Sequence, residues 1–211
     1  MRKNKLPITL FVAAAFSLLL SGCAMLGSYI SDLKGNLIGN SFHMETYDNF
    51  GNLTMTASGD KINLKGNRVR EVKATDEGYS TSYELSSVIT ITIDGKEMES
   101  CGDTLIFAED GLKKDLDFTS PEFIKSNSSI VDITDNTSIA YQINKYRNKI
   151  GKKRVVVIKS QTGHPLCAYS GNSVYWEIPA NLPKTTKLMI DGKALYIHRA
   201  NFQIIDKSLL N

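Results

Sequence analysis

No Cys-x-x-Cys pair, no His-Glu-x-x-His or His-x-His spacing, no Gly-x-Ser-x-Gly elbow and no glycine-rich phosphate loop occurs in these 211 residues. Those absences remove the sequence signals of dithiol redox chemistry, zinc hydrolases, α/β-hydrolase nucleophiles and nucleotide cradles. Histidine is scarce: His43, His164 and His198 stand apart from one another. A catalytic set would need distant segments, for example His164 with Cys167 or Asp191. No catalytic residue, cofactor or metal is therefore expected, and a non-catalytic role is favoured.

Acid is also missing from the first 22 positions, which hold Arg2, Lys3 and Lys5. The formal charge of +3 belongs to that leader, and the remaining chain carries 22 bases against 22 acids. With the leader set aside, no global basic charge supports nucleic-acid binding. Apart from positions 7–20, the chain has no long apolar run. That run is about fourteen residues, signal-peptide length and short of the roughly 20 needed to span a bilayer.

Directly behind the run stands the most specific motif in the chain, Leu20-Ser21-Gly22-Cys23. Small residues before a cysteine, behind a basic and then apolar leader, form a lipobox. The expectation is cleavage before Cys23 and acylation of its thiol. This divides the chain into a signal peptide (1–22), a lipidated tether (23–40) and an extracytoplasmic domain (41–211). Cys101 and Cys167 remain, in a compartment that permits disulfides. A bridge between them would close a long loop and contribute roughly 4 kcal/mol; two buried thiols packing as small hydrophobes is the other reading.

From Ser41 onward the apolar period is mostly two. Phe42 and Met44 alternate with polar residues, as do Leu53, Met55 and Ala57, around an Asp48–Asn52 turn. Ile62 and Leu64, the turn-like Lys65-Gly66-Asn67, then Val69 and Val72 predict a second hairpin. Val88–Ile93 is rich in β-branched residues and predicts a strand. Ile93-Asp94-Gly95-Lys96 recurs as Ile190-Asp191-Gly192-Lys193. A duplicated domain or a favoured type I′ turn would each explain the recurrence, and the turn is the preferred account.

One helix is predicted at about 136–150, from the apolar stripe Ile139, Ile143, Tyr146 and Ile150 with Gly151 beyond it. Arg154–Ile158 and further short strands come next, with Pro179 and Pro183 bracketing a loop. The fold class is α+β, β-dominated, with antiparallel hairpin-rich sheets and one main helix. Trp176 is read as a core anchor rather than a stacking platform.

Charge is uneven along the chain. Residues 94–122 hold nine acids and residues 136–159 hold seven bases without an acid. The acids lack the spacing of a calcium loop. Lys145, Lys149 and Lys152 fall on one side of the predicted helix and form a candidate basic contact face for anionic lipid or wall polymer. Both runs also suit ordinary solvated surfaces.

Several stretches together, Leu33–Asn40, Tyr47–Leu53, Val88–Gly95 and Pro183–Asp206, resemble a Gram-positive lipoprotein family that carries only a domain-of-unknown-function label. The resemblance implies a monoderm cell surface and supplies no active-site residues. The functional expectation is a lipid-anchored surface protein on the outer face of the cell membrane, binding an envelope protein or cell-wall component. A small-ligand receptor serving a transporter, or an extracytoplasmic hydrolase with a non-local site, are the alternatives.

Overall fold

A computed structural model describes residues 36–37, 41–126, 143 and 151–210. The lipobox, Lys145, Lys149 and all of the expected 136–150 helix except Ile143 lie outside those residues. Among the described residues every strand pairing is antiparallel, and the chain is strand-dominated, as its period of two predicts.

A short strand β1 (Asn36–Leu37) lies within the segment expected as tether. Six strands come after it: β2 (Phe42–Tyr47), β3 (Leu53–Gly59), β4 (Ile62–Thr75), β5 (Gly78–Ile93), β6 (Lys96–Ser100) and β7 (Thr104–Glu109). A connecting segment carries β8 (Leu116–Asp117) and the helix α1 (Pro121–Ser126). Six more strands complete the chain: β9 (Arg154–Lys159), β10 (Pro165–Gly171), β11 (Val174–Glu177), β12 (Thr185–Ile190), β13 (Lys193–His198) and β14 (Asn201–Asp206).

The two sets of six are copies of one unit. Phe42, Leu53 and Ile62 open strands at the same spacing as Arg154, Pro165 and Val174; Ile93, Lys96 and Thr104 match Ile190, Lys193 and Asn201. In each unit the first strand pairs with the second and sixth, and the fifth pairs with the fourth. Turn details repeat as well. Asp94 and Asp191 have φ of 48° and 49°, followed by Gly95 and Gly192 at 82° and 84°, as a type I′ turn requires. Each aspartate carboxylate then accepts backbone N–H groups from the turn between the unit's second and third strands: Lys61 N at 2.9 Å for Asp94, Ser173 N at 2.9 Å for Asp191. A Cβ on Gly59 would sit 2.6 Å from Ile93 Cγ2, and one on Gly171 2.8 Å from Ile190 Cγ2. The preference for a convergent turn is therefore corrected: the recurrence belongs to a structural duplication.

The units are joined edge to edge. Strands β7 and β13 pair, giving a six-stranded central sheet in the order β11-β12-β13-β7-β2-β3. Alternate side chains of this sheet enter different cores. Phe42, Met44, Leu105, Phe107 and Tyr196 pack against Ile62, Leu64, Ile89 and Ile91 of the β1-β4-β5-β6 sheet. Tyr47, Ile106, Leu195 and Ile197 pack the other way, against Val156, Ile158 and Tyr169 of the β14-β9-β10-β8 sheet. The far face of that last sheet presents Val155, Val157 and Ala168, covered by Phe118, Phe123, Ile143 and Leu210. Each fully buried aliphatic or aromatic side chain here contributes roughly 1.5–3 kcal/mol.

Two departures from the sequence expectation concern the first unit and the edge of the central sheet. Lys65-Gly66-Asn67 is no turn: β4 runs through it with a bulge between Gly66 and Arg68. Turn-type residues therefore mark the root of an arm, in which β4 and β5 continue as a two-stranded ribbon to the Asp76-Glu77 tip. The second unit has only the loop 178–184 at that place, and Leu182 from it fills the core below. The arm is thus an addition to a unit that closes without it. Replacing residues 67–87 with a loop of that kind should move the melting temperature by no more than about 2–4 °C; a fall of more than about 10 °C in a thermal melt would make the arm part of the folding unit. Trp176 is also corrected. It is 56% exposed because β11 is the outermost strand of the central sheet, where Val174 is the residue that reaches the core.

Candidate functional site

The duplication shows where the sequence breaks its own pattern. In the second unit Val155 and Val157 lie under an apolar cover. Their equivalents on β2 are His43 and Glu45, facing the cleft between the central sheet and the β9-β10 layer. Glu45 is buried, and an acid in place of a buried valine costs desolvation unless it is paired.

Lys114, from the segment connecting the units, supplies the pairing. Its Nζ donates to Glu45 Oε1 at 2.7 Å, to Asp117 Oδ2 at 2.8 Å and to Tyr47 Oη at 3.2 Å. Tyr47 donates its own hydroxyl to Glu45 Oε2 at 2.7 Å. Thr119 fixes the other oxygen of Asp117 through its N–H at 3.0 Å and its hydroxyl at 2.7 Å. Cys167 and Tyr169 close the cluster from β10, with a hydrogen bond between their side chains.

The charge states derive from these contacts. Burial alone favours a neutral amine at Lys114, but coulombic coupling to the Cys167 sulfur and the bonds to Asp117 and Glu45 outweigh it and hold the ammonium above the ordinary lysine range. At Asp117 burial is likewise overcome, by the bonds from Lys114 and Thr119, and the carboxyl ionises below its usual range. Burial, with Glu45 adding to it, pushes the Tyr47 phenol up. Burial does the same to the Cys167 thiol, against the opposing charge of Lys114. The result is a charged lysine on an ionised Asp117, beside a neutral phenol and a neutral thiol.

A cavity of about 150 Å³ opens beside the cluster, lined by His43, Glu45, Ile106, Glu109, Lys114 and Tyr169 among others. A larger hollow of about 520 Å³ lies across the Gly111–Leu112 segment, which lines both. Lys113, Lys152, Lys193, Asp115, Asn172 and Asp191 stand around the hollow. Lys152 pairs with Asp191 at 2.9 Å, and Lys193 donates to the Asp110 carbonyl at 2.6 Å.

The residues singled out in the sequence are dispersed. Cys101 is exposed and Cys167 buried, and both are free thiols in this structure. Lys152, from the candidate basic face, stands at the rim of the hollow. His164 bonds Thr162 Oγ1 through Nδ1 at 3.0 Å and meets the Phe50 ring edge-on, whereas Asp191 is spent on Lys152 and the Asn172–Ser173 turn. His43 Nδ1 lies 2.8 Å from Ser58 Oγ. His198 is buried against Thr185 Oγ1 at 3.0 Å, and burial lowers its pKa to about 4, so it is neutral at physiological pH. Among the described residues no group of three or more His, Cys, Asp or Glu is placed to hold a metal ion. Several acids of the 94–122 run serve as backbone acceptors: Asp94 takes Lys61 N and Glu109 takes Ala194 N.

Sequence reasoning passed over Glu45, Tyr47 and Lys114 as site residues. Each resembles an ordinary strand or loop residue, and 69 positions separate Glu45 from Lys114. It also passed over α1, although Ser120-Pro121-Glu122 carries a helix-start signature: Ser120 Oγ accepts Phe123 N at 3.2 Å.

Together these features define a class: a duplicated antiparallel β domain with a polar cleft between its units and a ribbon projecting from one of them. The chain belongs to DUF5052, a family described as a domain of unknown function, which matches residues 5–210. No curated protein and no solved structure matches it.

Proposed function

We propose that this chain is a lipid-anchored extracytoplasmic binding domain of the cell envelope, held to the membrane through Cys23 and docking a wall component or envelope protein. The observation that supports the binding role is the geometry of the cleft, in which Lys114 is bonded to Glu45, Asp117 and Tyr47 and Cys167 is fully buried. Nucleophiles and bases work as thiolates, free amines or poised imidazoles, whereas Cys167 is kept neutral and Lys114 charged. Groups so locked hold two units in one geometry and leave the surrounding surface to recognise a partner. Among the described residues no helix is long and apolar enough to cross a membrane; attachment in this reading rests on the Leu20–Cys23 motif.

The contact is assigned to the lysine-bearing rim that includes Lys152, with Lys145 and Lys149 from the adjoining basic run. Replacing Lys145, Lys149 and Lys152 together with glutamine should weaken co-sedimentation of the full chain with isolated cell wall roughly tenfold, at a few tenths to one kcal/mol per charge removed. Unchanged co-sedimentation of the triple variant would show that the basic rim is not the contact. The hollow of about 520 Å³ favours one second reading, since small-ligand sites fall in that size range.

A further inference from the structure

The arm presents two unlike faces. Directly opposed residues in its register share a face. One face carries the pairs Arg68–Leu85, Arg70–Tyr83, Val72–Thr81 and Ala74–Tyr79. The other carries Val69–Glu84, Glu71–Ser82 and Lys73–Ser80, with Lys73 bridging Glu71 at 3.1 Å and Glu84 at 3.7 Å. The first face therefore holds two arginines, two tyrosines and aliphatic side chains without an acid; the acids lie on the reverse face and at the Asp76-Glu77 tip. Tyr79 is 84% and Tyr83 66% exposed.

From these observations we infer that the Arg68/Arg70/Tyr79/Tyr83 face of the arm docks side-on to the headgroup layer of an anionic membrane. Tyrosine, with an apolar ring and a polar tip, suits the depth where headgroups meet acyl chains, and arginine pairs with lipid phosphate. The acidic reverse face and tip then remain in water.

The inference rests on the anchor proposed at Cys23, and the fold supplies a second argument from the chain leading to it. Strand β1 pairs antiparallel with the base of β4, Asn36 with Asn63 and Leu37 with Ile62. The backbone consequently enters β1 from the side toward which the arm projects. The chain from Cys23 to Asn36 spans at most roughly 45 Å when extended, and the arm extends roughly 25 Å beyond its bulge. A lipid on Cys23 keeps the arm within reach of the bilayer.

The test uses the full chain purified from membranes and reconstituted in vesicles of phosphatidylglycerol and phosphatidylcholine, some carrying brominated acyl chains. Tyr79→Trp in a Trp176→Phe background places the sole indole on the arm; the native chain, with Trp176, is the control. Bromine should quench the indole at position 79 and leave Trp176 bright. Arg68→Gln with Arg70→Gln should shift the arm off the surface roughly 25-fold, at about fivefold per basic residue; melting temperatures of all variants verify folding. Vesicle flotation separates the two readings. A chain that fails to float loses the anchor. A floating chain whose position-79 indole is unquenched, is quenched no more than Trp176, or is quenched equally without phosphatidylglycerol overturns the anionic docking face and leaves the arm to a protein partner.

Discussion

Lys114→Met is expected to cost about 3–5 kcal/mol of folding stability, the range for removing one partner of a buried ion pair. Lys114 and Glu45 have only 16% and 11% of their side chains exposed, so water cannot replace the missing partner. In a chain of this length such a loss lowers the melting temperature by roughly 10 °C. The duplication predicts its own rescue. The equivalent of Glu45 is Val157, fully buried beneath the apolar cover of the second unit. Glu45→Val added to Lys114→Met should therefore recover part of the lost stability. The unpaired carboxylate is gone and an aliphatic side chain stands where the other unit has one, while the buried Tyr47 hydroxyl, left without its acceptor, holds back about 1–3 kcal/mol. Asp117 is partly open to solvent and retains its bonds from Thr119. Thermal and urea melts of the two singles and the double form a closed cycle. A cost below about 1 kcal/mol for Lys114→Met would show that the cluster is solvated; a double variant no better than the single would show that the carboxylate is not what suffers.

The largest effect on location is expected from Cys23→Ser. A hydroxyl cannot form the thioether, so the variant should leave the membrane fraction or accumulate with its leader uncleaved, while the wild type stays with membranes after high-salt washing. Salt weakens charge-mediated adhesion and leaves acyl burial intact, at about 0.8 kcal/mol per buried CH₂. Retention of the variant in processed form would mean that something other than Cys23 holds the chain.

How far the sequence was readable depended on the kind of physics involved. Turns were legible because their chemistry is local: Asp94-Gly95, Asp191-Gly192 and Asp48–Asn52 need particular backbone conformations, and few residues provide them. Strands were legible from alternation. The duplication was not, since Gly59, Gly171 and the two Ile-Asp-Gly-Lys turns are kept while the strands between them share little beyond apolar character. Many residues fill a buried strand position, but few fill a tight turn.

The arm and the cleft failed to show for different reasons. Lys65-Gly66-Asn67 has turn composition, and a bulge uses the same residues as a turn; only the pairing of Arg68 with Leu85 distinguishes them. Lys114 lies in an acidic stretch and reads as a solvated charge, its burial arising only when the connecting segment crosses the first unit. Trp176 was misread because alternation tells which side of a strand a residue takes and says nothing of whether that strand lies at an edge.

The proposed lipid anchor is tested most directly by the intact mass and N-terminal peptide of the chain extracted from the membranes of the cells that make it. The expected protein begins at Cys23, lacks residues 1–22 and carries a diacylglyceryl thioether on that cysteine. A chain that retains the leader, or that begins elsewhere with Cys23 absent or unmodified, would contradict the anchor and the membrane-docked arm with it.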